Sequence, residues 1–189
     1  MSSTKTNLLR IGHSPDPDDA FMFYAMTHGK IQHPFQIEHI MEGIEELNQR
    51  AQKGELEITA FSVHAYVYCG KHYRILESGA SMGEGYGPIV VARQPLSKDE
   101  LRRSTIGIPG LWTSAALQLG LYLGQVKTKV LPFDQILEAV KDGTVDAGVV
   151  IHEGQITYSQ HGLTKLVDFG EWWLKETGLP IPLGVNGVR

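Results

Sequence analysis

Apolar and polar positions along this chain fall into blocks whose period switches between strand-like and helix-like. Residues 7–12, N-L-L-R-I-G, form a short apolar run that stops at H-S-P-D-P-D-D. There Asp16 suits a helix N-cap, Pro17 the first helical position, and Asp18 and Asp19 the first turn, where carboxylates complement the helix dipole. The helix A-F-M-F-Y-A-M-T-H then closes at Gly29. The same alternation predicts a strand over 35–40, an amphipathic helix over 44–53 ended by Gly54, and a strand over 56–62. Further strands are predicted over 73–77 and 88–93, then a short helix opened by Ser97, a strand at T-I-G-I-P and a helix over 113–123. A strand over 127–131, a helix over 133–141 and a buried strand over 145–151 complete the rhythm. Alternating strands and helices imply an α/β protein with mostly parallel sheets.

The stretch A-Q-K-G-E-L-E-I-T-A-F-S-V-H-A-Y is echoed by A-V-K-D-G-T-V-D-A-G-V-V-I-H-E-G. In each, a helix end, a glycine, an apolar strand and a histidine follow in order. Two similar α/β units are therefore expected, one on each side of Arg93.

Composition narrows the function classes. With 189 residues, 42% hydrophobic, the chain can bury a sizeable core. A net charge of −4 with scattered Lys and Arg excludes a nucleic-acid footprint. The single Cys69 leaves no intramolecular disulfide and reads as a small core residue. No stretch approaches the roughly 18 apolar residues of a membrane span, and the first ten residues lack an apolar signal region, so a cytoplasmic protein is expected.

In open α/β sheets ligands collect beyond the carboxyl ends of the strands. Those ends are His13-Ser14, Ser62 to His64, Pro109 to Ser114 and His152-Glu153. In P-G-L-W-T-S-A-A, Thr113 caps a helix whose N–H groups at Ser114 and Ala115 suit a carboxylate or phosphate; a plain N-cap explains the motif equally well. The three carboxylates of S-P-D-P-D-D are accounted for by helix-start chemistry, so no metal site is expected, and Ser14 remains as a ligand contact. G-A-S-M-G-E-G-Y-G lacks both the dinucleotide spacing and a phosphate-loop Lys, and reads as a loop or cleft wall without bound nucleotide. His28, His33, His39, His72 and His161 lie in polar or turn contexts and read as surface residues, whereas His13 and His64 serve as ligand contacts or as satisfied partial-core residues. His152 follows V-V-I and has Glu153 beside it: a general base at a cleft edge, or a core histidine bonded to backbone. Trp172 and Trp173 read as one buried and one partly exposed helix residue.

Taken in order, S-P-D-P-D-D-A-F-M-F-Y-A, F-S-V-H-A-Y, G-E-G-Y-G-P-I-V-V-A-R, P-G-L-W-T-S-A, G-V-V-I-H-E and G-L-P-I-P-L-G resemble the 1,4-dihydroxy-6-naphthoate synthases of the futalosine route to menaquinone. The resemblance implies a two-lobed fold similar to type II periplasmic binding proteins, with a cleft between lobes. It places one lobe at 1–92, with 183–189 returning to it, and the other at 93–182. It further implies a lyase that opens cyclic dehypoxanthinyl futalosine to the naphthoate and a three-carbon fragment with neither metal nor organic cofactor. The base would be His152, and the contacts to a small aromatic carboxylate would come from Ala60, Phe61, Ser62, Thr113, Ser114 and Ala115. A chorismate dehydratase of the same superfamily and a non-catalytic small-carboxylate binding protein are the alternatives. Asp16, Asp18 and Ala20 stand where many members carry Cys, Asn and Thr, and Ala60 stands where some carry Lys. The family also continues past the position of Arg189 with a mainly helical segment that completes the first lobe. The expectation is therefore a fragment or truncated form, or a face covered by a partner such as a second copy in a homodimer.

Overall fold

The computed structural model describes residues 7–189. The chain divides into two compact units, one running to Ala80 and joined by Gly184–Arg189, the other Ser81–Leu183.

In the first unit the chain order is β1 (Leu8–His13), α1 (Pro17–Thr27), β2 (Gln36–Met41), α2 (Ile44–Lys53), β3 (Ile58–Ser62), α3 (Val63–Cys69) and β4 (Arg74–Ile75). β1 lies parallel to both β2 and β3, a pairing that needs crossover helices, and α1 and α2 supply them. The buried face of α2 carries Leu47 and Ala51, fully enclosed, and Leu47 packs with Leu56 and Ala60. Gly12 is required where α2 crosses β1, since a Cβ there would lie 2.6 Å from Leu56 and 2.8 Å from Leu47. Gly54, in the left-handed region, ends α2.

The second unit contains β5 (Ser81–Gly83), β6 (Ile89–Ala92), α4 (Lys98–Arg103), β7 (Thr105–Ile108), α5 (Ser114–Leu123), β8 (Lys127–Val130), α6 (Ile136–Lys141), β9 (Ala147–Val150), α7 (Gly154–Thr157), β10 (Thr164–Asp168) and α8 (Phe169–Thr177). β11 (Ile181–Val188) starts in this unit and continues into the first sheet, whose order is β2-β1-β3-β11-β4. The second sheet has the order β10-β6-β9-β7-β8. β7, β8 and β9 are parallel, and β6 runs against both β9 and β10. Apolar clusters cover the sheet, one including Leu119 and Phe169 and the other Ile136 and Val140. Ser97 and Glu100 form the capping box that opens α4.

The sheets are mixed, with parallel blocks β2-β1-β3 and β9-β7-β8. The unit boundary falls at Ala80, not at residue 92, because all four residues of β6 are buried between β9 and β10 and cannot belong to the first sheet. The sequence echo is structural: helix, strand and a second helix follow in order as α2-β3-α3 and as α6-β9-α7.

β11 ends beside an ion-pair cluster. Arg10 binds both carboxylate oxygens of Glu57, at 2.8 and 2.9 Å, and Arg189 adds a contact at 3.1 Å. These hydrogen bonds, the Arg10 side chain first, hold the Glu57 carboxyl at about 2 against an ordinary 4.5. A depressed carboxyl stabilises the fold above its unfolded value and loses that contribution as pH falls through the folded one. Urea midpoints should therefore fall between pH 4.5 and about 2 more steeply in the parent chain than in Glu57→Gln.

Candidate functional site

In the second sheet β7, β8, β9 and β10 all point their carboxyl ends to one edge, where β6 begins. Ile89 of β6 lies opposite both Val150 of β9 and Asp168 of β10. Every loop leaving this edge brings a chemically distinctive group.

After β9 the chain turns sharply. Gly154 is forced by its neighbour, since a Cβ would lie 2.4 Å from Val150 Cγ1. His152 takes φ 57°, the one positive φ at a non-glycine among the described residues. For a residue with a Cβ this left-handed backbone costs about 1–2 kcal/mol, and such strain gathers at functional sites. The half-buried His152 ring meets Phe133, just after β8, edge to face with centroids 5.2 Å apart. It borders a pocket of about 450 Å³ walled by Tyr86, Ile89, Ile156 and Tyr158. Gln155, Lys165 and Asp168 supply its polar groups. Asp168 caps α8 through the N–H groups of Gly170 and Glu171, and burial raises its carboxyl pKa despite those two bonds. Lys165 reaches Glu171 at 3.3 Å.

After β7, Thr113 caps α5 as its sequence implies: Oγ1 accepts the Ala116 N–H at 3.2 Å and donates to the Gly110 carbonyl at 2.8 Å. The N–H groups of Ser114 and Ala115 lie beyond reach of the helix's own carbonyls. Ser114 Oγ donates to the Leu183 carbonyl at 2.5 Å, which ties α5 to β11. The Ala115 methyl belongs to the core cluster, so this residue can meet a ligand only through its backbone.

The first unit gathers its polar strand ends differently. Ser14 donates its hydroxyl to Asp16 at 2.5 Å and its N–H to Asp19 at 2.6 Å. Asp16 occupies the N-cap position of α1 without a side-chain capping bond, because its carboxylate is taken up by Ser14. Asp19 is buried, not a solvated dipole partner, and burial raises its pKa. Ser62 is buried and paired twice with Asn48, which donates to Ser62 Oγ at 3.1 Å and accepts the Ser62 N–H at 2.8 Å. Phe61 is turned into the core, its ring stacked on Tyr66 and close to Tyr73, with Gly187 against it. Its side chain is thereby unavailable to a ligand. Ala60 packs with Leu47 and Leu56. His13 stacks on Phe23 and bonds the Ser14 carbonyl and His39, so His39 is a partnered residue and not a free surface one. Trp172 and Trp173 are both half-buried against the core.

Asn48, Phe133 and Gln155 escaped the sequence reading. Asn48 left one faint signal: it sits four residues after Ile44 and three before Ala51, a polar residue on an apolar helical face. Asn48→Ala strands the buried Ser62 N–H and should cost about 2 kcal/mol in urea unfolding. Among the described residues no group of three or more His, Cys, Asp and Glu is arranged to hold a metal ion. No helix among them is long and apolar enough to cross a membrane.

Known proteins agree with this architecture. The chain is 43% identical over 181 residues to a 1,4-dihydroxy-6-naphtoate synthase of Thermus thermophilus, covering 96% of this chain and 66% of that protein. It is 38% identical over 187 residues to the Streptomyces coelicolor protein of the same name, again at 96% and 66% coverage. The chain thus spans slightly under two thirds of the length of these relatives. A crystal structure of a protein from Archaeoglobus fulgidus matches with a TM-score of 0.93 at 49% identity, over 98% of this chain and 69% of that one. The alkanesulfonate-binding protein of Xanthomonas axonopodis pv. citri matches with a TM-score of 0.73 at 12% identity, over 97% and 65%, which shows the two-lobed binding-protein fold. The menaquinone biosynthesis family model matches residues 9–189, and the chain belongs to that family.

Proposed function

We propose that this chain acts as a cofactor-independent carbon–carbon lyase that forms 1,4-dihydroxy-6-naphthoate from cyclic dehypoxanthinyl futalosine, with His152 as general base. The observation that carries the reading is His152 on the wall of an aromatic-lined pocket of about 450 Å³. It lies at the same sheet edge as the start of α5. A strand-end imidazole beside such a pocket is suited to proton transfer. His152 takes the proton of a substrate hydroxyl, and the carbon–carbon bond to the three-carbon fragment breaks as a new carbonyl forms. The released electron pair enters the bicyclic ring, which becomes aromatic, and the imidazolium returns its proton to a ring oxygen.

The substrate carboxylate is assigned to the N–H groups of Ser114 and Ala115, where the dipole of a ten-residue helix favours negative charge. Tyr86, Ile156 and Tyr158 flank the ring system. Similarity to two named 1,4-dihydroxy-6-naphtoate synthases supports formation of that product as the reaction to assay. Purified chain incubated with cyclic dehypoxanthinyl futalosine should yield the naphthoate by mass spectrometry, and with chorismate no 3-enolpyruvylbenzoate. Product from chorismate alone would replace the lyase by the dehydratase. Ligand-induced stabilisation with no product from either would leave a binding protein.

A further inference from the structure

His152 combines a demanding role with an unfavourable backbone, and something must keep it there. The turn is closed first by the backbone, where the Gln155 N–H donates to the His152 carbonyl at 3.1 Å. With its amide oriented so that both ends are matched, the Gln155 side chain closes it a second time. Its oxygen accepts the His152 N–H at 3.2 Å and its nitrogen donates to the Gly87 carbonyl at 2.8 Å. Gly87 packs closely on the start of α8, since a Cβ there would lie 2.8 Å from the Gly170 nitrogen. One side chain therefore ties the left-handed residue after β9 to the loop before β6, and it does so on the wall of the His152 pocket.

We infer that Gln155 is the positioning residue of the site: it holds the His152 backbone in its left-handed conformation and so aims the imidazole into the pocket. Neither hydrogen bond requires Gln155 to touch the substrate. The kinetic half of this inference rests on the proposed lyase reaction, and the structural half does not. Misplacing a base by about 1 Å can cost ~10²-fold in rate.

Two variants separate the possibilities. Gln155→Leu removes both side-chain bonds at similar size. Amide hydrogen exchange of His152, followed by NMR, should accelerate at least ~10-fold while the β9 amides of Val149 and Val150 hold their protection. kcat should fall ~10- to 100-fold with KM within about twofold. Added to His152→Asn, Gln155→Leu should lower the rate no further, because both act through one group. In Gln155→Glu the protonated acid can reproduce both bonds, whereas the carboxylate cannot donate to the Gly87 carbonyl. At about pH 7.5, where that carboxyl is ionised and an imidazole can act as base, Gln155→Glu should therefore lower kcat as Gln155→Leu does, with KM again within about twofold. Unchanged His152 exchange in Gln155→Leu overturns the inference. So does a raised KM at constant kcat, which would make Gln155 a substrate contact. If the parent chain turns over no substrate, the lyase reading falls, and the exchange measurement still decides whether Gln155 holds His152.

Discussion

Replacing His152 with Asn should lower turnover ~10³-fold while the Kd for 1,4-dihydroxy-6-naphthoate changes less than about threefold. Asn suits this test because His152 occupies a left-handed backbone, which Asn tolerates better than most residues with a Cβ. The turn closed by Gln155 is then preserved while the proton acceptor is lost. The edge contact with Phe133 also disappears, but that ring lies against the half-buried rim and not in the centre of either apolar cluster, so the melting temperature should move little. Steady-state rates and a ligand titration on the same preparation check both halves. Turnover at the parent level would remove His152 from the mechanism, and parallel loss of binding and stability would make it a structural residue.

Gly170→Ala should destabilise the protein by about 3 kcal/mol, the upper end for forced overpacking, and weaken ligand binding as well. A Cβ on Gly170 would lie 2.0 Å from both the carbonyl carbon and the oxygen of Tyr86 and 2.6 Å from the Gly87 nitrogen. These are backbone atoms, so no rotamer change can relieve the clash. Either α8 shifts or the loop before β6 lifts. The loop carries Tyr86, a pocket wall, and Gly87, the acceptor for Gln155, so its displacement reaches the site directly. Urea unfolding with a parallel naphthoate titration measures both effects. An alanine variant of parent stability would show that the loop yields freely despite the close approach of Tyr86 and Gly87 to Gly170.

Element type was legible wherever one period ran unbroken. The α2 range Ile44–Lys53 follows from its apolar stripe and from Gly54, and the Ser97 capping box and the Thr113 cap are visible as residue patterns. α3 was missed because V-H-A-Y-V-Y-C is rich in β-branched and aromatic residues, whose preference the packing of Ala65 and Cys69 overrides. β10 was missed because T-K-L-V-D at the sheet border is only half buried and carries a bulge against β6. The strand-end rule pointed to His152, Ser62 and Thr113 because it depends only on where apolar runs stop. Asn48 and Gln155 could not be found that way. Their roles come from bonds to Ser62 and Gly87, residues distant in sequence that only the folded sheet brings within reach.

In the proposed complex an aromatic acid binds in the second unit against His152 with its carboxylate on the start of α5. NMR of the chain labelled at histidine side chains and backbone amides, titrated with 1,4-dihydroxy-6-naphthoate, tests it most directly. The His152 imidazole should shift saturably together with the Ser114 and Ala115 amides, and none of them should shift with 1,4-dihydroxynaphthalene at the same concentrations. Saturation with those resonances unmoved, or equal shifts without the carboxylate, would contradict it.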